Sequence, residues 1–436
     1  MNEQKILFSD INEKNLNQII NSLRFENNTN KNLFNQVNNM LTDIKNEGLK
    51  AILKYTEKYD GVTLDAKSIK ITNQEIKNAY KNVSKKQLQA IKTLKSRIEL
   101  IENKILQKVG GEISNKDGVQ ITNKIAPINS VGCYVPGGKA VYPSSVIMTV
   151  IPAKIAGVPR ITICSPPTKN KSIDPLLIVA ADICGVNEIY KIGGVQAIGL
   201  MAYGTENIKP VDKIVGPGNA YVSEAKKQVS QFISIDCPAG PSEILILADD
   251  SAIPKWVTRD LIAQAEHGET SVCGLLTTST QLANKVEKEL MNLIKVVPRS
   301  EYVKKAILNN GFILTSKKLN VLIDFINLFS PEHLMLITKK TQNILPKISS
   351  AGLILLGNFT PVAASDYGLG SNHVLPTSGT AKTYSGLSVL DFIKRINIIK
   401  SNQKALKNIK NLIEIMAKSE DLPNHYLSIK ERWSEK

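Results

Sequence analysis

Long apolar segments are missing from the 436-residue sequence. The longest candidate, residues 141–158, is interrupted by Pro143, Pro152 and Lys154, so it falls short of the about 18 apolar residues that a membrane-spanning helix needs. The first residues, MNEQKILFSDINEKN, carry charges where a secretory signal has an apolar core. We therefore expect a cytoplasmic protein without a membrane partner.

Arginine is scarce. It occurs seven times, whereas Lys and Arg together number 55 and the net charge is +16. The lysines are spread along the chain, without an arginine-rich arm or a basic stripe with interleaved aromatic residues. Because nucleic-acid-binding domains cluster their positive charge on one face or helix, we expect no nucleic-acid partner. A basic binding protein with a structural zinc stays open as an alternative.

Strong metal and nucleotide signatures are also missing. The five cysteines include no CxxC pair, and the odd number among apolar or small neighbours predicts reduced, buried thiols. HExxH is absent as well, so a zinc site needs weaker arguments. The segment GPGNAY (216–221) lacks the third glycine of GxGxxG, so the dinucleotide-binding fingerprint is not present either.

The pattern of apolar residues along the chain changes near residue 130. Before it, residues 33–44 and 85–107 space their apolar residues by three and four, as amphipathic helices do. After it, short β-branched runs alternate with helical patterns, which predicts an α/β fold with largely parallel sheets. The length is typical of two to three domains. Lysine-rich residues 401–418 are predicted as a helical tail.

The four histidines all lie in polar or glycine-bounded segments, which favours metal binding or proton transfer over core packing. Gln264 and His267 are three apart on a predicted helix that Gly268 ends, so they share a face and could chelate one cation. Such pairs are also common on solvated helices. His425 follows Glu420 in a segment that by itself indicates only a solvated connector.

The pair Glu332–His333 stands in SPEHLML (330–336), where Pro331 disfavours a helix and the following apolar run predicts a strand. At the entrance of that strand a bend could turn both side chains to one site, although surface polarity is the other interpretation. Asp366 and His373 lie in a predicted loop after a buried strand, where α/β sheets bind ligands. Asp366 is either a turn residue or an oxygen ligand.

Taken together, the motifs resemble the histidinol dehydrogenase family in order and spacing over residues 25–432. The segments that carry the resemblance are VGCYVPGGKAVYPSSVIMTVIPAKIAGV, GPGNAYV, DCPAGPSEILILAD, LIAQAEHG, SPEHL, DYGLGSNHVLPT, SGLSVLDFIKR and EDLPNH. Cys133, Cys237, Ser365 and Val362 depart from the family pattern, and the last two flank a metal-ligand position.

The resemblance implies two incomplete Rossmann-like α/β/α domains of the aldehyde-dehydrogenase-like kind. The expected division has an N-terminal arm (1–26), a first domain with the metal and catalytic residues (27–132 and 244–385), a second domain on the dinucleotide side (133–243), and a C-terminal helical tail (386–436). It further implies a homodimer in which each tail completes the active site of the partner subunit.

The resemblance also implies the chemistry, an NAD-dependent double oxidation of L-histidinol through a bound aldehyde, and the residues that perform it. The proton-transfer groups are Glu332 and His333. One zinc ion per subunit is held by Gln264, His267, Asp366 and His425 of the partner subunit. The substrate contacts are Ser242, Gln264, His267, His333, Asp366, His373, Glu420 and His425. The NAD contacts are Tyr134, Gln196 and Asn219.

A second enzyme class stays open at this point. An NAD-dependent aldehyde dehydrogenase would use a cysteine nucleophile, which needs a thiolate activated by a nearby charge. The cysteines are Cys133, Cys164, Cys184, Cys237 and Cys273. Each lies in an apolar or turn segment without an obvious activating partner.

Overall fold

A computed structural model describes residues 6–24, 31–137, 140–238 and 240–433. The strands are β1 (Leu7–Asp10), β2 (Gly111–Lys116), β3 (Val119–Pro127), β4 (Ser130–Tyr134), β5 (Arg160–Cys164), β6 (Glu188–Tyr190), β7 (Lys213–Val215), β8 (Ser234–Ile235), β9 (Glu243–Ala248), β10 (Val272–Thr277), β11 (Gly311–Thr315), β12 (His333–Ile337), β13 (Leu353–Leu356) and β14 (Ile393–Ser401). They form two parallel sheets and one antiparallel sheet, which confirms the predicted α/β class.

Helices cover both parallel sheets. They are α1 (Leu16–Arg24), α2 (Lys31–Glu47), α3 (Leu49–Asp60), α4 (Asn73–Lys81), α5 (Lys85–Leu106), α6 (Pro143–Ala156), α7 (Pro175–Ile183), α8 (Gly194–Tyr203), α9 (Ala220–Val229), α10 (Pro254–Ala265), α11 (Thr280–Leu293), α12 (Ser300–Asn310), α13 (Leu319–Phe329), α14 (Thr341–Ile344), α15 (Val362–Tyr367), α16 (Gln403–Asn408), α17 (Lys410–Ser419) and α18 (Pro423–Lys430). Short 3₁₀ helices span Leu345–Lys347, Thr380–Lys382, Val389–Phe392 and Glu431–Trp433. Within the described part of the chain, no helix has the length and apolar content needed to cross a bilayer.

The larger sheet has the strand order β1-β11-β10-β9-β12-β13, and every neighbouring pair is parallel. Its central strand β9 is buried along its whole length, as the apolar run EILILA requires of a parallel strand covered on both faces. Helices α10, α11 and α12 pack on one face, and α1 and α13 on the other. The carboxylate–imidazole pair at the start of β12 therefore sits beside the start of β9.

The smaller parallel sheet has the order β6-β5-β4-β7-β8. The chain runs outward from β4 to β6 and then restarts on the other side with β7, so the strand order reverses between β4 and β7. In open α/β sheets such a switch point is where ligands bind. At this point Gly216 has φ +117°, and a Cβ atom there would lie 2.1 Å from the Tyr134 carbonyl oxygen, so only glycine fits.

Local sequence explains several helix boundaries. Helix α4 begins with a capping box in which the Thr72 side chain accepts from the Glu75 backbone and the Glu75 side chain accepts in return. Helix α5 begins in the same way with Ser84 and Gln87. Helix α3 ends at Gly61 in the left-handed region, with φ 68°. The predicted helices at 33–44 and 85–107 are confirmed.

The structure places two segments differently from the expected domain division. Helices α2–α5 (31–106) were assigned to the domain of the catalytic residues, but their apolar faces pack on both sides of the five-stranded sheet. Residues 1–26 were expected as an arm, but β1 pairs with β11 and α1 packs on α13. Amphipathic stripes specify that a helix is buried, not which sheet buries it.

The third sheet was not predicted. It is antiparallel, with the order β14-β3-β2, and joins a hairpin before the five-stranded sheet to a strand within the segment expected as a helical tail. Most of β14 is exposed, so its sequence IKRINIIKS lacks the buried face by which strands are recognised. Helices α16–α18 follow it, as the tail prediction requires.

Candidate active site

Glu332 and His333 are held in place by the first residue of β9. Both side chains are buried, with 7% and 3% of their surfaces exposed. The Glu243 backbone N–H donates to Glu332 Oε2 at 2.7 Å, and the Glu332 N–H donates to a Glu243 carboxylate oxygen at 3.2 Å. Ser330, with φ 55°, ends α13 and turns the chain into this contact. The bend at the strand entrance thus brings both side chains to one site.

The hydrogen bonds of His333 define its tautomer. Nδ1 lies 3.1 Å from the Glu243 carbonyl oxygen, which can only accept, so Nδ1 carries the proton. Nε2 is buried without a hydrogen-bond partner in the described structure and is therefore the basic atom. Burial by itself lowers the pKa of His333, but the Glu332 carboxylate, 3.5 Å from Nδ1, and Asp366 outweigh it, so the pKa is raised.

Asp366 and His373 complete this polar cluster. Asp366 lies on the short helix α15 and is 9% exposed, and its charge acts on both His333 and His373. Nε2 of His373 lies 3.3 Å from Ser145 Oγ at the start of α6. Burial lowers the pKa of His373, which favours its neutral form. The carboxylates of Glu332 and Asp366 thus act electrostatically on the imidazoles of both His333 and His373.

The positions that depart from the family pattern are accommodated beside Asp366. The Ser365 hydroxyl donates to the Val362 carbonyl at 2.7 Å within α15, and the Val362 side chain is buried in the core of the larger sheet. Cys133 and Cys237 are buried, as apolar replacements should be. The local backbone around Asp366 is a helical turn and not the loop that the sequence predicted.

Gln264 lies in the last turn of α10, which ends at Ala265, so His267 follows the helix in a turn and the predicted shared helical face is wrong. Helix α10 packs against α15, which carries Asp366. Gln264 is buried and His267 is exposed. A cavity of about 470 Å³ lies beside His267, between α5, the start of α6 and Tyr367. Among the described residues no three His, Cys, Asp or Glu side chains are grouped to hold a metal. Of the ligands expected from one chain, Gln264, His267 and Asp366, only His267 and Asp366 are of those types.

Of the three remaining predicted substrate contacts, Ser242 directly precedes Glu243 beside the cluster, and Glu420 and His425 lie on the tail. Ser242 precedes β9 directly and is half-buried, and its carbonyl accepts from the Val272 backbone at 2.9 Å. Glu420 and His425 are exposed on α17–α18, which pack on each other. Within this single chain, the structure therefore does not bring the tail residues to the cluster.

The three predicted NAD contacts lie along the carboxyl edge of the five-stranded sheet. Tyr134 ends β4, is buried, and accepts from the Gly194 N–H at 3.2 Å. Gln196 is buried in α8 and donates to Asp60 at 3.0 Å, where burial raises the Asp60 pKa to about 6. Asn219 is exposed and caps α9. Asn219 alone of the three is open to a ligand, whereas the other two shape the edge behind it.

Sequence reasoning missed two buried ion pairs. Arg24 of α1 pairs with Glu243, and Lys226 of α9 pairs with Asp236. The Lys226 ammonium also donates to the Gly216 carbonyl at 2.9 Å, while Asp236 accepts from the Gly216 N–H at 2.8 Å. Asp236 belongs to the motif DCPAG and could have been found there. The pairing of Arg24 with Glu243, 219 positions later, leaves no signal in residue spacing.

The cysteines do not supply an activated thiolate. All five are buried and free. Burial raises the pKa of Cys133, Cys184 and Cys237 to about 12, and it raises the pKa of Cys164 and Cys273 as well. A nucleophilic cysteine needs the opposite shift. The structure therefore gives no support to the cysteine-dependent aldehyde dehydrogenase that the sequence left open.

The buried Glu332–His333 pair, at the start of β12 beside the start of β9, is a candidate acid–base site of an α/β enzyme. Comparison with known proteins gives the family. The model of the histidinol dehydrogenase family matches residues 23–433. Histidinol dehydrogenases of Methanothermobacter thermautotrophicus and Clostridium acetobutylicum are 42% and 43% identical, over 91% and 90% of this chain and 92% and 91% of their own lengths.

A solved structure of histidinol dehydrogenase from Elizabethkingia anophelis superimposes with a TM-score of 0.91 at 37% identity and covers 99% of both chains. The chain belongs to the histidinol dehydrogenase family. It is therefore an oxidoreductase that acts on histidinol.

Proposed function

We propose that the protein catalyses the zinc-dependent, NAD-linked oxidation of L-histidinol to L-histidine through bound L-histidinaldehyde, the last step of histidine biosynthesis. The observation that carries this proposal is the buried Glu332–His333 pair with an unpartnered Nε2 atom. The oxidation of a primary alcohol to a carboxylate needs groups that accept protons from the hydroxyl group, from water and from the hydrate, and a carboxylate beside an imidazole can supply them. The five free, buried cysteines fit a reducing compartment, and we place the enzyme in the cytoplasm.

The first oxidation needs a base at the hydroxyl group. His333 takes the hydroxyl proton on Nε2 while the carbon transfers hydride to the nicotinamide, so the alcohol loses two electrons and becomes the aldehyde. Nδ1 is already committed to the Glu243 carbonyl, which keeps the ring oriented for this transfer. The raised pKa of His333 makes the ring a stronger base than an isolated buried imidazole.

The second oxidation needs water. Glu332 removes a proton from a water molecule as the water oxygen bonds to the aldehyde carbon, and the protonated His333 returns its proton to the carbonyl oxygen, which gives the hydrate and a neutral His333. His333 then takes the hydrate's hydroxyl proton while hydride passes to a second NAD molecule, which gives the carboxylic acid, and this ionises to the carboxylate. Four electrons leave the substrate, so two NADH form per histidinol.

The donor set fits zinc. Gln264, His267 and Asp366 would hold it together with His425 of the partner subunit, a nitrogen and oxygen set that zinc accepts. The packing of α10 on α15 supports the first three. When bound, zinc supplies a fixed Lewis-acidic anchor for the substrate's imidazole and amine nitrogens.

The tail supports a homodimer with shared sites. Its apolar side chains Leu412, Ile415 and Leu427 are 60%, 63% and 41% exposed, and His425 and Glu420 lie among them. Apolar side chains in such number along one short segment favour contact with another molecule. We infer that the tail docks on a second copy, where Glu420 and His425 complete the substrate and metal contacts. NAD lies at the carboxyl edge of the five-stranded sheet beside the exposed Asn219, and the buried Tyr134 and Gln196 support that edge from behind.

One assay tests the proposal. The dimer is incubated with NAD, zinc and L-histidinol, and NADH is followed by absorbance. We expect two NADH per histidinol, loss of activity with a chelator, recovery with added zinc, and survival after thiol alkylation because every cysteine is buried. One NADH per histidinol, or inactivation by alkylation of one cysteine, would overturn the proposal.

A further inference from the structure

One residue outside the predicted site contacts both catalytic side chains. The Glu243 N–H donates to the Glu332 carboxylate at 2.7 Å, and the Glu243 carbonyl accepts from His333 Nδ1 at 3.1 Å. Its own carboxylate accepts from the backbone N–H groups of Glu332 at 3.2 Å and Ser378 at 3.1 Å. The backbone and the side chain of Glu243 therefore fix the pair from two directions.

Arg24 reaches this residue from the end of α1. Its guanidinium pairs with the Glu243 carboxylate and donates to the carbonyl of Phe329, the last residue of α13. The same group stacks on the Phe329 ring, 3.7 Å from its centroid. Phe329 is three residues before Glu332, so Arg24 ties the turn that carries the catalytic pair to the strand beside it.

The charges explain why a cation is needed here. The Glu243 side chain is 1% exposed and lies beside a second carboxylate, Glu332. Burial raises the pKa of Glu243, and the charge and hydrogen bonds of Arg24 act against that rise. Without a cation, Glu243 would take up a proton or repel Glu332. Either change disturbs its hydrogen bonds to the catalytic turn.

We propose that Arg24 and Glu243 are positioning residues for the Glu332–His333 pair, with Glu243 as the template and Arg24 as its counter-ion. This inference rests on the proton-transfer roles proposed above for the pair. It gives the N-terminal segment a part in the reaction, although neither residue touches the substrate.

The test separates positioning from binding. Arg24→Met keeps apolar packing on the Phe329 ring but removes the charge and the hydrogen bond to the Phe329 carbonyl. A displaced proton-transfer group costs on the order of 100-fold in rate. We therefore expect kcat to fall roughly 10- to 100-fold while KM for L-histidinol and zinc content stay unchanged. Arg24→Lys keeps the charge and should lose less. Glu243→Gln in the Arg24→Met background should regain part of kcat, because a neutral amide needs no counter-ion.

The matched control is Arg160→Met. It breaks the ion pair between Arg160 and Glu188 on the five-stranded sheet, where the guanidinium lies 2.9 Å from the carboxylate. It should leave kcat unchanged. If Arg24→Met does not fold, Glu243→Gln decides alone, since it keeps Arg24 and its packing. It must lower kcat at constant KM.

Two failures are distinguishable. If the unmodified dimer makes no NADH from histidinol, the proposed function falls. If the unmodified dimer is active but Arg24→Met and Glu243→Gln both leave kcat unchanged, only the positioning inference is overturned. Equal kcat values for Arg24→Met and Arg24→Lys, with no gain from the added Glu243→Gln, would likewise overturn it by indicating a packing role.

Discussion

Replacing Lys226 by methionine should destabilise the five-stranded sheet at its switch point. The Lys226 side chain is 2% exposed and Asp236 is 4% exposed, so neither charge is solvated. Lys226 donates to the Gly216 carbonyl, and Asp236 accepts from the Gly216 N–H. Methionine is of similar length and fills the space, which leaves the buried Asp236 carboxylate without a cation and the Gly216 carbonyl without a donor.

The loss in free energy of unfolding follows from these unpaired groups. Removing one partner of a buried ion pair costs about 3–5 kcal/mol, because the other charge stays buried. Removing both charges in Lys226→Met with Asp236→Leu leaves only the two Gly216 groups unpaired, at about 1–3 kcal/mol for each. The double variant should therefore cost about 2–6 kcal/mol, a range that overlaps the cost of the single variant although it carries more substitutions. Lys227 is the control, because it is exposed and its replacement should cost less than about 0.5 kcal/mol.

Calorimetry and hydrogen exchange measure the effect. For a folding unit of about 150–250 residues, the cost predicts a fall in Tm of roughly 6–20 °C. Faster amide exchange should be confined to β7, α9 and the segment between them. Since Asn219 lies three residues after Gly216, KM for NAD should rise while KM for histidinol is unchanged. A Lys226→Met protein within about 1 kcal/mol of the unmodified protein would refute the reasoning.

The remaining predictions concern the catalytic pair and the tail. In Glu332→Gln the amide oxygen can still accept from the Glu243 backbone N–H, but the side chain cannot act as a base. The aldehyde step should therefore slow by about 10²–10⁴-fold and the alcohol step far less. Equal slowing of both steps in single-turnover measurements would contradict the separate roles. The same variant removes a charge that raises the pKa of His333, so His333 stays neutral at lower pH. The rising limb of the pH profile of kcat/KM should therefore move to lower pH. A rising limb that stays in place would count against His333 as the base. His425→Ala should lower zinc occupancy. Heterodimers with His267→Ala should regain about half of the activity, because one of their two sites keeps all its ligands. No recovery would indicate that His425 acts in the site of its own chain.

Much of the fold class was accessible from the sequence because its signals are local. Alternating β-branched runs and amphipathic stretches specify strands and helices without knowledge of the tertiary structure. Capping pairs such as Thr72 with Glu75 mark the boundaries in the same way. The scarcity of histidine drew attention to His333 and His373, which the structure places in one electrostatic neighbourhood.

The assignment of segments to sheets was not accessible in this way. The apolar stripe of α2 fits any buried surface, and the contact of Val37 and Ile44 with the five-stranded sheet appears only in three dimensions. Strand β14 was missed because an exposed antiparallel strand lacks a buried face. The role of Glu243 was hidden for a different reason, since its backbone groups make two of its contacts and a sequence does not display them.

The pairing of β1 with β11 has a consequence for the order of folding during synthesis. Leu7–Asp10 align with residues 312–315, so the first strand made has no partner until about 300 residues later. Residues 31–235, by contrast, contain every strand of the five-stranded sheet and can pack while the rest is still being translated. All strands of the five-stranded sheet are therefore made before β12, although Val389 and Phe392 join its core later. Arg24 likewise meets Glu243 only 219 residues later in the chain.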